Sequence, residues 1–328
     1  MKRAGTVPGN APRAQGRAVA GFRIVTAAVV ALFFFAAAQA KNDPDALIQR
    51  MLESVRRVDF VGVQETTIFE PTYCASRQRV TQKDGMRCVV YETPPELKGK
   101  EVFTDGSLTF FPGGGVAVPD IGLGSDLTSL RKSAEGVERV AGRRAYVVRL
   151  SPAQPSKASR HIWIDAEHYV PLRWEDRDAS GKLVSKTTFT SIRFGGAVPA
   201  VSPPARSIPR SPIEVSPALS LNEVSQRVGF KVQQPQYLPK GYRFKLASVT
   251  TIGEGERAVH GSTSIFTNDL GIIDLRQVPA HAIASAKPGP PRETPLGLVW
   301  VRDGFHFVLS ATPPLSRAEM AKIAASVR

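Results

Sequence analysis

The 328-residue sequence predicts an α+β protein of two units. The first is a curved antiparallel sheet, an open half-barrel, packed on one helix; the second is a smaller α+β unit. Three observations carry this. One amphipathic helical stretch opens the globular part. Short segments of alternating pattern, punctuated by turn residues, then follow as far as Phe194. A proline-rich stretch separates these from a second series that begins and ends with a helix-capping signature.

Residues 1–40 read as a targeting segment. Lys2, Arg3, Arg13, Arg17 and Arg23 form a basic region with no acidic residue, Ile24–Ala38 is apolar, and Ala38-Gln39-Ala40 has the small-x-small pattern of a signal-peptidase site. The apolar run is short for a membrane span, which takes about 20 residues, so export with cleavage is expected over an uncleaved anchor. The formal net charge is +14, and removing the five leader charges leaves +9. Such a balance suits acidic partners, including anionic lipid headgroups, lipopolysaccharide or an acidic protein segment, and equally suits an arginine-preferring proteome. Export argues against nucleic acid as a partner.

The mature chain opens with Asp43-Pro44-Asp45, a cap followed by proline at the first helical position. Leu47, Ile48, Met51, Leu52, Val55 and Val58 recur at helical spacing behind it. From Asp59 the period changes. Strands are expected at 59–69, 77–81, 86–92, 102–104, 108–111, 145–150, 160–164, 172–176 and 183–194. Lys83-Asp84-Gly85 and Asp178-Ala179-Ser180-Gly181 are read as turns, Gly113-Gly114-Gly115 as a loop, and 125–133 as a short helix. Residues 195–219 hold Pro199, Pro203, Pro204, Pro209, Pro212 and Pro217. They exclude a helix or a central strand and read as a linker between 41–194 and 220–328.

The last segment starts with the capping box Ser220-Leu221-Asn222-Glu223. Strands at 249–252, 259–266, 271–277, 298–301 and 305–310 follow, and Ser316-Arg317-Ala318-Glu319 opens a final helix with Met320, Ile323, Ala324 and Val327 on its apolar side.

Several segments resemble the MucB/RseB family of periplasmic regulators, whose first domain is similar to the lipoprotein carriers LolA and LolB. Ala46–Met51 and Phe60-Val61-Gly62 resemble that family's opening helix and first strand. Arg139–Ala145 resembles its "RVAGR-x-A" segment, His161–Asp165 its "LWLD" strand, and Leu183–Phe194 the strand that follows. Leu238-Pro239-Lys240-Gly241-Tyr242 resembles "LPPGF", and Ile323–Val327 resembles "IA-x-SV". The glycine-rich 112–126 has no counterpart in the pattern. The resemblance implies a LolA-like half-barrel and a periplasmic protein. It further implies that this protein binds the periplasmic segment of a transmembrane anti-sigma factor and releases it in response to lipid or lipoprotein signals of envelope stress.

The chemistry visible in the residues is sparse. His161, His168, His260, His281 and His306 have no zinc-binding spacing; no nucleophile elbow or phosphate loop occurs; no cofactor or metal is expected. Asp165, Glu167, Glu175, Asp176 and Asp178 form a local carboxylate group with solvation as its simpler reading. Trp163 and Trp174, with Phe60, Phe110, Phe111 and Phe189, are candidate walls of an acyl-chain cavity on the concave face, against core packing as the alternative. Arg77, Arg79, Arg143, Arg144 and Arg149 are candidate headgroup contacts, against a solvated surface. Cys74 and Cys88 lie in a chain expected to reach an oxidising compartment. A tight turn at 83–86 sets Cys88 opposite Thr81, leaving Cys74 roughly 20 Å or more along the strand; a disulfide needs Cys74 to fold back, and both states stay open. The expectation is a non-enzymatic regulatory binding protein. A periplasmic lipid or lipoprotein carrier and a secreted hydrolase are the alternatives; the oligomeric state is open.

Overall fold

The computed structural model describes residues 43–328, leaving out 71–72, 105–107, 111–117, 120–126, 128–129, 154–156, 197, 202–212, 217, 253–257, 269, 284–285, 295–296 and 313–314. The expected leader, Phe111 and the Gly113–Gly115 loop lie outside the described residues. The fold is α+β. Among the described residues, an open eleven-stranded antiparallel sheet carries one helix, and a separate seven-stranded sheet carries two more.

Helix α1 is Pro44–Ser54, with Asp43 as its cap: the carboxylate accepts the Asp45 amide at 3.2 Å. Leu47, Ile48 and Met51 are buried against the sheet. The Gln82 side chain, 2% exposed, donates to the carbonyls of Val55 at 2.6 Å and Val58 at 3.0 Å, satisfying backbone that the end of a helix leaves open. Lys132 pairs with Asp45 at 2.8 Å, and Arg50 donates to the Tyr169 hydroxyl at 2.9 Å, so α1 is tied to the sheet at both ends.

The first sheet runs through β1 (Phe60–Ile68), β2 (Cys74–Lys83), β3 (Met86–Thr93), β4 (Glu101–Thr104), β5 (Leu108–Phe110), β6 (Val118–Pro119), β7 (Arg131–Val140), β8 (Arg143–Ser151), β9 (Ser159–Asp165), β10 (Pro171–Arg177) and β11 (Leu183–Phe194). Its spatial order is β6-β5-β4-β3-β2-β1-β11-β10-β9-β8-β7. Strand β1 therefore joins the two meanders by pairing with both β2 and β11. The expected helix at 125–133 is corrected in its described part: Arg131–Ser133 begins β7, an edge strand paired only with β8. Its mostly polar, exposed residues carry no strong alternation to read.

The second sheet comprises β12 (Ile213–Val215), β13 (Arg243–Ile252), β14 (Val259–Thr267), β15 (Ile272–Pro279), β16 (Gly289–Thr294), β17 (Gly297–Arg302) and β18 (Phe305–Thr312), in the order β12-β13-β14-β15-β18-β17-β16. Helices α2 (Leu221–Val228) and α3 (Arg317–Ser326) cover it. Ser220 and Glu223 form the expected reciprocal capping box, and Ser316 accepts the Glu319 amide. Two edge strands, β12 and β16, escaped the pattern. The first lies within the proline-rich stretch, and the second contains Pro290-Pro291. Both sit at sheet edges, where a missing backbone donor is tolerated.

Candidate functional site: the helix-facing surface of the first sheet

Strand register decides which side chains share a face. Ser76, Thr66, Thr187, Trp174, Ile162 and Val148 are successive cross-strand partners over β2, β1, β11, β10, β9 and β8. The surface is therefore polar on one side of Trp174 and apolar on the other.

The apolar half is covered by α1. Leu47, Ile48 and Met51 pack with Val148, Leu150, Ile162 and Ile164, and Tyr146, Tyr169 and Trp174 flank them. On the polar half Gln64 donates to Gln78 at 3.1 Å, Gln78 to Ser76 at 2.8 Å, and the Thr66 and Thr187 hydroxyls meet at 3.1 Å. Gln64, Gln78 and Thr187 are all buried. Tyr91, opposite Gln78, has its phenol pushed up by burial and by nearby Cys74. At one end of the surface Arg160 and Asp176 form a buried pair at 2.6 Å, and Ser185 donates to Asp176 at 2.8 Å.

Of the aromatic candidates, Trp163, Trp174, Phe60 and Phe189 do not line one wall. Trp174 faces α1, because its partner across the ladder is Ile162. Trp163 is next to Ile162 along β9 and so points to the opposite face, which corrects the expectation that both indoles share the concave side. There Trp163 packs with Val140, Ala145, Val147 and Leu172. Its indole N–H donates to Glu138 at 2.8 Å, and the Arg173 guanidinium lies 4.1 Å from the ring centroid. Both its polar atom and its π-face are engaged, so Trp163 anchors the edge strand β7. Phe60 and Phe189 meet edge to face at 5.8 Å in a third cluster with Val80 and Val170. Phe110 lies on β5 opposite Phe103.

The carboxylate group also disperses. Asp165, 0% exposed, accepts from Arg143 at 2.5 Å and from the amides of Glu167 at 3.0 Å and His168 at 2.7 Å. Burial would raise its carboxyl; Arg143 and the two amides outweigh burial and hold it below the usual range. Asp165, Glu167 and His168 bring ligand atoms within 4.8 Å of one another, but Arg143 bonds to all three residues and already supplies the cation. His168 stacks on Phe194 at 3.9 Å. Glu175 pairs with Arg173 on the face opposite Asp176, and Asp178 closes the β10–β11 turn by accepting the amides of Ser180 and Lys182.

The basic candidates are partly spoken for. Arg77 bridges Glu65 and Glu92, and Arg79 reaches Glu92. Cys74 and Cys88 are unbridged: Cys88 is opposite Thr81, and Cys74 lies at the far end of β2. Burial and nearby Glu101 push the Cys88 thiol up to about 11.

Residues 128–210 match the sequence model described as the MucB/RseB N-terminal domain. The curated proteins contain no match. Among solved structures, the Pseudomonas aeruginosa MucA/MucB complex aligns at TM-score 0.55 and 16% identity, covering 87% of this chain and 98% of the matched one. MucB in complex with MucA(peri) aligns at TM-score 0.52 and 17% identity over the same shares, and MucB alone at 0.53 and 16%. The match within the first unit is to the MucB/RseB N-terminal domain, and the fold across both sheets is similar to that of the MucB structures.

Proposed function

We propose that this chain is an exported, non-catalytic regulator that binds the periplasmic segment of a membrane-spanning anti-sigma factor. The observation that carries this is the two-sheet fold. It extends over 87% of the chain and 98% of MucB, a protein whose structure in complex with MucA(peri) is among those matched. In this reading residues 1–40 are a signal peptide, 41–194 the LolA-like unit, 195–219 the connection and 220–328 the second unit. The helix-facing surface around Trp174 is the acceptor for a lipidic signal of envelope stress. Its apolar half offers acyl chains the burial that contributes about 0.8 kcal/mol per methylene, and its polar half offers hydrogen-bonding groups to a headgroup.

The test is capture. The mature chain is immobilised and the exported segment of a single-span anti-sigma factor of the same organism is passed over, with and without a micellar lipopolysaccharide. Binding that the lipid weakens supports the proposal. No capture, with lipid extracted by the chain alone, sinks the regulator reading in favour of a carrier.

A further inference from the structure

The apolar cluster under α1 is not built from the first unit alone. Leu270, in the β14–β15 turn of the second sheet, is a member of it, 8% exposed and packed in the group that holds Leu47, Ile48, Met51, Leu150 and Ile162. That turn is braced to present it. The Asn268 carboxamide oxygen accepts the amides of Leu270 at 3.1 Å and Gly271 at 2.7 Å, and the Thr267 hydroxyl donates to the Gly271 carbonyl at 2.9 Å. Beside it the second unit makes another approach. Tyr242, whose ring packs on the second core, is close enough to Asp176 and Arg160 for both to act on its phenol. Burial is the main cause pushing that phenol up, Asp176 adds to it, and Arg160 opposes. Arg160 and Asp176 are cross-strand partners on the α1-facing side, adjacent to Leu150. The apolar half of the candidate surface is thus closed in part by a side chain of the other unit.

We propose that Leu270 is a removable plug: an acyl chain entering the apolar half of the α1-facing surface takes the place of Leu270 and levers the second unit off the first. A buried leucine side chain and a stretch of acyl chain are chemically alike, so the exchange needs no new polar contact at the core. It costs the Leu270 burial, which the ligand's own burial replaces. This deepens the proposed function, on which it rests, by giving the lipidic signal a mechanical consequence.

The experiment uses the whole mature chain and dansyl-undecanoic acid as probe, titrated by fluorescence, with hydrogen exchange of α1 and of 267–271 as the second readout. Leu270→Ala is expected to bind the probe about tenfold tighter than wild type, within the usual worth of truncating a buried leucine. Leu270→Met, which refills the space, is expected to bind as wild type does. Probe added to wild type should speed exchange at 267–271. Should Leu270→Ala not fold, Leu270→Val replaces it, with a smaller tightening expected. Equal affinities of wild type and Leu270→Ala, with exchange at 267–271 unmoved by bound probe, overturn the plug and leave lipid sensing standing. Absence of probe binding by wild type and variants alike removes the lipidic signal itself, and the plug with it.

Discussion

The Asp165 carboxylate and the His161 imidazole set the pH response of the first sheet, and in the same direction. Asp165 is held low by Arg143 and two backbone amides against the effect of burial. Its contribution to stability is complete above the unfolded value, about 3.9, and is lost as pH falls through the folded value. His161 is pushed down chiefly by burial, with Arg149 and Arg177 reinforcing and Glu135 and Glu175 opposing. Its contribution is complete above the unfolded value, about 6.5, and fades as pH drops below it. Urea midpoints should therefore decline from pH 7 to pH 5. His161→Gln should remove part of that decline and leave the steeper loss below about pH 4 in place. His306, also pushed down by burial and by Arg292, keeps some slope in the variant; an unchanged wild-type profile in His161→Gln would refute the assignment. The thiols give a second residue-scale prediction. Cys74 is exposed, whereas the Cys88 thiol, near 11, is protonated at pH 8. Brief iodoacetamide treatment should label Cys74 alone by mass spectrometry, with Cys88 labelled only in denaturant.

At the scale of elements, capping and turn chemistry were read closely, because they are local. Asp43, Ser220 and Ser316 cap the helices the residues announced. Edge strands were not read. β7 is polar and exposed, β12 is three residues in a proline-rich stretch, and β16 contains two prolines, so none offers in its sequence the alternating run that marks a strand. Two elements give sharp tests. Met51 is 0% exposed on α1, and Met51→Ala should destabilise the chain by about 2–5 kcal/mol in urea unfolding. Gly297 begins β17 at φ +123°, and a Cβ there would meet the Leu309 carbonyl oxygen at 2.1 Å. Gly297→Ala should therefore cost more than the roughly 1 kcal/mol of an ordinary glycine replacement, since both backbone conformation and space oppose it. A melting temperature equal to wild type would refute the close approach of β17 and β18.

For the whole molecule, the regulator reading predicts that partner binding depends on the joined units. Leu270→Asp places a charge in the shared apolar cluster, so it should separate the two sheets and lower capture of the anti-sigma segment while near-UV circular dichroism of each core persists; undiminished capture would sink the dependence. The amino-acid sequence by itself determined the α+β class, the opening helix, most interior strands, the caps and the resemblance to the family, because each rests on neighbours in the chain. Only the tertiary structure decided which aromatics meet. Trp163 and Trp174 sit on neighbouring strands, yet Trp174 pairs with Ile162 and Trp163 with Arg173. Successive residues of a strand face opposite ways, so one step of register moves an indole from one side of the sheet to the other. That step is set by the β9–β10 turn and the irregularity between Pro171 and Arg173, which period-two patterning does not encode. The entry of Leu270 into the first core is likewise a contact between units far apart in sequence, and nothing local to Leu270 signals it.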